Sequence, residues 1–245
     1  MDRRMFLQTF GAGVASLSLP AFGSPAPSCS ILVMGMGAAG CNLAVALRAS
    51  NFQDRADSVL SYVCVDLGPH ALEFVDIAND ANPALAPIKT LMLAPVRAGG
   101  RVNAARAACL RHRAILAELL AGSDMVVLLA GLGGGTGSGV TPIMARVARD
   151  AGVVTVAAVV TRFAFEGARN RRADAVMNRL QREADLAMAF SNEEWINRYR
   201  DDTSLFDVFD ALDRHIASQL HAVISRLNIT THRAGFTFAP DCQSV

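Results

Sequence analysis

The sequence predicts a three-layer α/β fold, in which a mainly parallel, doubly wound sheet lies between two layers of helices. Continuous apolar runs alternate with amphipathic helical patterns along the 245 residues, as is typical of strands that are buried on both faces. Two of the apolar runs lead directly into glycine-rich turns, at 35–40 and 131–139. No apolar stretch is long enough to span a membrane.

Residues 1–27 differ in composition from the rest of the chain. Arg3 and Arg4 precede a mildly apolar stretch at 9–19, and small residues follow at 21–26. This pattern is similar to a twin-arginine export signal with its cleavage site, which predicts a periplasmic location. The alternative is an N-terminal extension without regular structure. In either case this segment is left out of the predicted fold.

The first half of the chain begins with a predicted strand at 31–34, and a helix from about Cys41 to Arg48 follows the first glycine turn. A second strand is predicted at 61–65 and ends at Asp66. Residues 69–95 are predicted to form loops with short pieces of regular structure, because four prolines interrupt them: Pro69, Pro83, Pro87 and Pro95.

In the second half of the chain, strands are predicted from continuous apolar runs and helices from apolar residues at helical spacing. Further strands are predicted at 125–130, 153–160 and 186–190, and helices at 102–120, 140–151, 171–183 and 205–227. The last helix carries one long apolar stripe, so we expect it to be buried along one side. The residues 228–245 have no regular pattern. The predicted organisation is therefore a signal segment at 1–27, one nucleotide-binding domain at 28–227 and an irregular tail at 228–245.

The segment 131–139 reads Gly-Leu-Gly-Gly-Gly-Thr-Gly-Ser-Gly. Glycines can adopt positive φ and allow a ligand to approach the backbone. Successive N–H groups then form a concave nest, and the positive end of the helix dipole adds to its attraction for phosphate. A flexible linker is the alternative, but a linker has no reason to lie between a buried strand and an amphipathic helix. The expected phosphate ligands are Gly133, Gly134, Gly135, Thr136 and Gly137.

The first glycine turn has the spacing Gly35-x-Gly37-x-x-Gly40, which is the dinucleotide fingerprint, and Asp66 ends the next strand. Taken alone it predicts NAD binding, with Asp66 on a ribose hydroxyl. A dinucleotide fold needs one pyrophosphate loop, however, and this chain has two. The second loop lacks the lysine of a P-loop and the G-x-S-x-G pattern of hydrolases, so Ser138 is interpreted as a turn or helix-start residue.

Composition excludes several other classes of protein. The net charge of +1 and the lack of a basic stripe with aromatic residues argue against a nucleic-acid partner. None of the five cysteines has the spacing of a zinc site. Cys41, Cys64 and Cys109 fall inside predicted elements, where we expect them to be small buried hydrophobic residues.

The glycine segment 131–139 resembles the signature of the tubulin and FtsZ superfamily. Further segments resemble that family in the same order: its first glycine loop at 35–42, its second-strand loop at 65–72, its ribose loop at 161–167, and its guanine-contacting loop and central helix at 191–192 and 205–216. The resemblance covers roughly residues 30–227. It implies a Rossmann-like domain that binds GTP or GDP, with Mg²⁺ as an accompanying ion.

The resemblance also implies roles for single residues. Gly37, Ala38 and Ala39 belong to the first phosphate loop. The remaining implied contacts are Asn42 and Asn192 on the guanine edge, Glu166 on the ribose, Phe209 stacked on the base, and Asp213 as a carboxylate beside Arg214, where the family has its guanine-binding acid. From the residues alone, Asn42 and Asn192 could equally be helix caps, Phe209 a core residue and Glu166 a surface turn residue.

The family's central helix leads into an acidic loop and a second domain, which act on the nucleotide of the next subunit, and the tail 228–245 resembles neither. Hydrolysis is therefore expected to be weak or lost, and the expected protein partner is a second copy or another FtsZ/tubulin-like subunit. Two alternatives stay open, an NAD-binding oxidoreductase and a non-catalytic interaction protein with a degenerate pocket. Use of GTP would point to the cytoplasm, whereas the signal segment points to the periplasm.

Overall fold

The computed structural model describes residues 29–50, 58–95, 98–161, 168–199 and 202–226, apart from the side chains at 58, 168–170 and 225–226. The signal segment expected at 1–27, Glu166 of the expected ribose loop and the tail 228–245 lie outside the described residues. The elements below are those of the described ranges.

Six parallel strands form a single sheet in the order β3-β2-β1-β4-β5-β6. The strands are β1 (Cys29–Met36), β2 (Ser58–Asp66), β3 (Ile88–Met92), β4 (Met125–Gly131), β5 (Val154–Thr161) and β6 (Leu186–Ser191). The chain builds outward from β1 to one edge, returns to the centre at β4 and then builds outward to the other edge. The predicted α/β fold with a doubly wound parallel sheet is confirmed.

Eight helices cover the sheet within the described residues. They are α1 (Gly37–Ala49), α2 (His70–Ala81), α3 (Val102–Arg111), α4 (Arg113–Leu119), α5 (Gly135–Asp150), α6 (Ala168–Glu183), α7 (Asn192–Ile196) and α8 (Leu205–Arg226). Helices α1, α2 and α8 pack on one face of the sheet, and α3 to α6 pack on the other. None of these helices is long and apolar enough to cross a membrane.

The central strand β4 shows why the apolar runs are continuous. Met125, Val127 and Leu129 face the helices α1 and α8, whereas Val126 and Leu128 face α3 and α5, and all five are fully buried. A strand that is covered on both faces cannot carry polar residues at alternate positions. The cores on the two faces of the sheet therefore share the same strands.

The three cysteines predicted to be buried are fully buried. Cys41 and Cys64 lie in the core beside α1, and the neighbouring Cys64 thiol, followed by burial, raises the pKa of Cys41. Burial raises the pKa of Cys109 to about 12. The thiols of Cys41 and Cys109 are therefore protonated at neutral pH, and all three cysteines are inaccessible, so they act as hydrophobic core residues.

The prediction that 69–95 forms mainly loops was wrong. A helix of 12 residues, α2, and the strand β3 occupy most of this segment. The prolines mark ends of elements instead of interrupting them, since Pro69 is the N-cap of α2, and Pro83 and Pro87 lie between α2 and β3. Proline is tolerated at the start of a helix because the first N–H groups have no partner inside the helix.

Three further elements differ from their predicted bounds. The helix predicted at 102–120 is divided at His112, whose ring Nδ1 lies 2.9 Å from the carbonyl oxygen of Ala108. Helix α1 begins at Gly37 instead of about Cys41, and α5 begins at Gly135 instead of Val140. Several glycines of the two predicted loops therefore belong to the first turns of helices.

Arg48 in the last turn of α1 holds the carboxyl-terminal end of α2 in place. It is 4% exposed, its Nη1 donates to Asn79 Oδ1 at 2.7 Å, and its Nη2 donates to the Ala78 carbonyl at 2.8 Å. Asn79 in turn bonds both backbone polar groups of Ile88 in β3. A buried cation thus satisfies the carboxyl end of α2 and fixes this helix between α1 and the sheet.

Candidate functional site

The candidate site lies at the carboxyl edge of the sheet, where the strands β1 and β4 are neighbours. The chain leaves β1 into α1 on one face and leaves β4 into α5 on the other face. Such a switch point opens a crevice, which is where open α/β sheets bind ligands. Here it holds a cavity of about 640 Å³, a size typical of small-molecule sites. We call it the edge cavity.

Two helix N-termini meet in the edge cavity. A Cβ placed on Gly37 at the start of α1 would lie 3.2 Å from the backbone nitrogen of Gly137 in α5. Neither helix has a side-chain cap, and neither has an acidic residue in its first turn. Unpaired N–H groups and the positive ends of two helix dipoles therefore converge on one space. This arrangement favours a ligand with more than one negative charge.

The glycines of the second loop serve close packing more than positive φ. Within 131–139 only Gly133 has a positive φ, of 88°. A Cβ on Gly137 would lie 2.3 Å from the Gly131 carbonyl oxygen, and one on Gly135 would lie 2.5 Å from the Ala98 Cβ. Positive φ is thus used at one glycine of this segment, and close approach accounts for the others that have near neighbours. Small residues let the loop, α5 and residues 98–100 close around the cavity.

Ser138 stabilises the turn that precedes α5. Its hydroxyl Oγ accepts the Gly133 N–H at 2.8 Å, and the side chain is buried. This agrees with its interpretation as a turn or helix-start residue. The same bond occupies the N–H of Gly133, so this amide is already satisfied by protein, and Gly133 is not among the residues that line the cavity.

Asp66 carries the only carboxylate among the described residues that line the edge cavity. Its Oδ1 accepts the Thr136 hydroxyl at 2.5 Å and the Leu67 N–H at 2.7 Å. The contact joins the end of β2 to the first turn of α5, although the residues are 70 positions apart. Asp66 therefore faces the second glycine loop, next to the converging helix N-termini.

Two amide side chains also line the cavity. Asn192 is the first residue of α7, and its Oδ1 is buried without a hydrogen-bond partner among the described residues. Asn42 lies inside α1 with an exposed side chain. Neither is a helix cap, because the N-cap of α7 is Ser191, whose hydroxyl accepts the Glu194 N–H at 3.2 Å. The cap alternative for the two asparagines is therefore wrong.

The short helix α7 is held in place by aromatic contacts. The indole N–H of Trp195 donates to the Val208 carbonyl at 3.1 Å, and its ring lies 4.7 Å from the ring of His215, both on α8. The guanidinium of Arg198 lies over the Trp195 ring, 4.8 Å from the ring centre. These contacts set the position of Asn192 at the start of α7.

The structure brings most of the predicted site residues together. Those that line the edge cavity are Gly37, Ala38, Ala39, Asn42, Gly134, Gly135, Thr136, Gly137 and Asn192. Gly133, Phe209 and Asp213 are not among the lining residues. Phe209 is 38% exposed on α8, and desolvation, followed by the charge of Asp210, raises the pKa of Asp213 to about 6. The roles of Phe209 and Asp213 at the base stay predictions.

Part of the cavity wall was not named among the site residues from the sequence. It consists of His70, which lies within the predicted second-strand loop at 65–72, of Phe74 on α2, and of residues 98–100 before α3. Phe74 is 45% exposed although it is large and apolar. The apolar spacing of Ala71, Leu72 and Val75, which are buried, is the signal that predicts α2 and would have placed Phe74 at the site.

The chemistry of the donor set suits one kind of metal ion. The described residues contain no group of three His, Cys, Asp or Glu side chains that could hold a metal. A single carboxylate beside a phosphate-binding nest fits Mg²⁺, which takes one or two protein carboxylates together with phosphate oxygens and water. It does not fit a metal that needs a complete protein cage.

Comparison with known proteins agrees with this geometry. The model of the family described as "Tubulin/FtsZ family, GTPase domain" matches residues 30–200. The chain belongs to the tubulin/FtsZ family. The match covers both glycine turns, β2 and its Asp66, and α7 with Asn192, so the lining of the edge cavity lies within the matched GTPase domain.

Relatives that match in sequence include cell division proteins. The chain is 33% identical over 165 residues to the cell division protein FtsZ of Pseudomonas aeruginosa, covering 67% of this chain and 41% of that protein. It is 31% identical over 149 residues to FtsZ of Neisseria meningitidis, covering 58% of this chain and 38% of that protein. The chain thus spans about two fifths of the length of these FtsZ proteins.

Solved structures of the tubulin/FtsZ family share the fold. An FtsZ mutant of M. jannaschii superposes with a TM-score of 0.66 at 23% identity, covering 86% of this chain and 60% of that one. The CetZ2 protein of Haloferax volcanii, in a GTPγS-bound protofilament, gives a TM-score of 0.64 at 23% identity, covering 80% and 58%. The six-stranded sheet with its flanking helices is therefore the fold of the tubulin/FtsZ GTPase domain.

Proposed function

We propose that this chain binds GTP or GDP in the edge cavity. The observation that carries the proposal is the meeting of two uncapped helix N-termini, α1 and α5, in one cavity. Each presents unpaired N–H groups to the same space, so an oligophosphate satisfies both at once. The family match supports a guanine nucleotide over other oligophosphates. It does not favour the NAD-dependent oxidoreductase alternative.

The guanine edge is assigned to Asn192 and Asn42. Guanine presents O6 as an acceptor and N1–H and N2–H₂ as donors, so an asparagine can match it with both halves of its amide. The buried Oδ1 of Asn192 has no protein partner among the described residues, and leaving it unmatched costs about 1–3 kcal/mol. A base N–H group that donates to this oxygen removes the cost.

The phosphates are assigned to the N–H groups of 37–39 and 134–137, with the Thr136 hydroxyl beside them. Asp66 is negatively charged and faces the same end, so it would repel phosphate unless a cation lies between them. A bound Mg²⁺ would supply that positive charge and would be held by Asp66 and phosphate oxygens. Thr136, whose hydroxyl now donates to Asp66, fixes the direction of this carboxylate.

Calorimetry with the full chain tests the binding proposal. We expect GDP and GTP to bind in the presence of Mg²⁺ and NADH not to bind. Asn192→Ala should weaken GDP binding by about tenfold, which corresponds to one lost hydrogen bond to a buried group. Asn103→Ala, on the exposed first turn of α3, is the matched control. Binding of NADH without guanine nucleotide would reverse the assignment.

Trp195 offers a second readout, because it is the only tryptophan of the chain and lies three residues after Asn192. We expect GDP to change its emission with the same midpoint as calorimetry. If guanine nucleotide binds but Trp195 emission is unchanged, and Asn192→Ala binds with normal affinity, then α7 does not contact the base.

We infer further that hydrolysis by this chain alone is slow. The titratable side chains among the described lining residues are Asp66 and His70. Asp66 accepts the Thr136 and Leu67 donors, and the side chain of His70 is 63% exposed, so neither is arranged to orient an attacking water. Single-turnover phosphate release should be far slower than product dissociation. Rapid release that rises with protein concentration would contradict this.

A non-catalytic interaction protein is the remaining alternative. It differs from the proposal in one measurable way, since a degenerate pocket has no affinity for guanine nucleotide. Protein purified without added ligand, denatured and examined by chromatography for released GDP or GTP, separates the two. Absence of nucleotide there, combined with absence of binding by calorimetry, would favour this alternative.

A further inference from the structure

The two helical layers of this protein carry opposite charge. Helices α3 to α6 have nine arginines with described side chains against four acids, whereas α1, α2 and α8 have six acids against two such arginines. The net charge of the whole chain is only +1, so this separation is not visible in the composition. The sheet therefore divides a basic face from an acidic face.

Most charges of the basic face are not neutralised within it. On α5, Arg149 pairs with Glu183 at 2.8 Å and Arg146 with the same carboxylate at 3.6 Å. Six other arginines make no ion pair with the described residues: Arg106 and Arg111 on α3, and Arg171, Arg172, Arg179 and Arg182 on α6. The free cations thus form two rows, on the helices that flank α5.

The acids of the acidic face lie on α2, at Glu73, Asp76 and Asp80, and on α8, at Asp207, Asp210 and Asp213. Asp210 forms an ion pair with Arg214 on the same helix, and Asp213 is half-buried, so the exposed carboxylates are mainly those of α2 and Asp207. Helix α1 lies between α2 and α8 and carries no acidic residue. Neighbouring helices lie 8–10 Å apart, so on each face the two charged rows are about 20 Å apart. On each face the charged helices are therefore separated by one intervening helix, α1 or α5.

Both faces also expose large apolar residues among their charges. Leu110 is 51% exposed and Ile115 is 46% exposed on the basic face, while Ile77 is 67% exposed on the acidic face. Apolar and aromatic residues surrounded by arginines are the usual composition of protein–protein interfaces. An anionic membrane would neutralise the arginines of the basic face only. A protein partner with an acidic surface would neutralise these arginines and would also bury the exposed apolar residues beside them.

We propose that the basic face of one copy docks on the acidic face of a second copy. The two surfaces lie on opposite sides of the molecule, so the contact is heterologous and leaves a free basic face and a free acidic face at the ends. Such a contact does not close and repeats, which gives a stack of molecules along the sheet normal. The edge cavity lies at the end of the strands, so this contact does not cover it and does not depend on nucleotide.

Sedimentation velocity of the full chain tests the contact by its salt dependence. At about 0.01 M salt the Debye length is about 30 Å, and at about 1 M it is about 3 Å. We expect the sedimentation coefficient to rise with protein concentration in low salt, and this rise to disappear in high salt. The same result is expected with and without GDP. A chain that stays monomeric in low salt at all concentrations would overturn the proposal.

Charge reversal gives the sharper test. The first variant combines Arg106→Glu, Arg179→Glu and Arg182→Glu, which makes the basic face acidic. The second combines Asp76→Arg, Asp80→Arg and Asp207→Arg, which makes the acidic face basic. Each variant alone should lose self-association, because like charges would meet. An equimolar mixture should recover it, because faces of opposite charge can again meet.

The controls separate this inference from misfolding and from the nucleotide site. Far-UV circular dichroism and GDP binding should be unchanged in both variants. If the first triple variant does not fold, the single change Arg179→Glu replaces it, and if the second does not fold, Asp76→Arg replaces it. Two folded variants that stay monomeric when mixed would overturn the proposal. Binding of the wild-type chain to anionic lipid vesicles, without salt-sensitive self-association, would likewise overturn it in favour of a membrane.

Discussion

Asp66 shows how a single residue links the fold to the proposed chemistry. It ends β2, accepts the hydroxyl of Thr136 from the first turn of α5, and is the one carboxylate among the described residues lining the edge cavity. A carboxylate beside phosphates is unfavourable unless a cation is shared between them. If the edge cavity binds nucleotide as proposed, this position predicts that the affinity depends on Mg²⁺.

Asp66→Asn tests this dependence. In Mg²⁺ we expect GTP affinity to fall by about tenfold, in line with the loss of one interaction with a charged group. In EDTA the variant should bind at least as tightly as the wild type, because the repulsion of the phosphates is removed. Thr136→Val tests the hydroxyl that donates to Asp66. Thr90→Val, at an exposed position of β3, is the matched control for that threonine-to-valine change. An equal loss in both conditions would show that Asp66 does not act through a cation.

Asp213 gives a residue-scale prediction about pH. Desolvation, and then the charge of Asp210, raises its pKa to about 6 from 3.8. The folded chain therefore keeps this proton to a higher pH than the unfolded chain, so stability falls as pH rises from about 4 to about 6. Asp213→Asn removes this term and should be more stable than the wild type above pH 6 but not below pH 4. Urea unfolding across this range measures the difference, and an equal gain at both ends of the range would contradict the assignment.

At the scale of elements, the position of α2 depends on Arg48. This helix carries His70 and Phe74 into the wall of the edge cavity, while its other end is held by the buried guanidinium of Arg48 and by Asn79. A helix fixed at one end keeps its first turn in place at the other. The clamp on α2 therefore also determines the shape of the cavity.

Arg48→Met tests the clamp. Removing the buried guanidinium takes one of two donors from the Asn79 oxygen and leaves the Ala78 carbonyl at the end of α2 without its donor, so we expect the free energy of unfolding to fall by about 3 kcal/mol. The matched control is Arg113→Met, which breaks an exposed ion pair with Asp150 and should cost at most about 1 kcal/mol. Urea unfolding measures both. Equal effects of the two substitutions would show that Arg48 contributes no more than a surface charge.

The elements also show what the sequence can and cannot predict. The strands β1, β4 and β5 were predictable because each is covered on both faces and so must be continuously apolar. The helix α2 was not predicted, since its prolines were interpreted as interruptions although they lie at its ends. The contact between Asp66 and Thr136, and the approach of Ala98 to Gly135, depend on tertiary packing between distant segments. No local pattern contains them.

At the scale of the whole molecule, the order of the strands creates the site. Because β1 and β4 lie side by side and their helices leave to opposite faces, α1 and α5 begin within a few ångströms of each other. The sequence predicted two phosphate loops, but it did not show that they face one another. The pairing of the two loops in one cavity is the feature that separates an oligophosphate site from a single-loop dinucleotide site.

This pairing predicts how the whole domain responds to fragments of the nucleotide. A ligand that binds only the folded state stabilises it by about 2.7 kcal/mol at a concentration of 100 Kd, which for a domain of this size raises Tm by about 5–10 °C. If the two uncapped helices supply most of the binding energy, pyrophosphate with Mg²⁺ should raise Tm, and guanosine at the same concentration should not. GDP should raise Tm most, because it combines the phosphate contacts with those of Asn42 and Asn192.

Thermal unfolding followed by circular dichroism gives the Tm with each of the three ligands, with sulfate at equal ionic strength as the control for nonspecific anion effects. A rise with guanosine equal to that with GDP would mean that the base, and not the meeting of α1 and α5, holds the ligand.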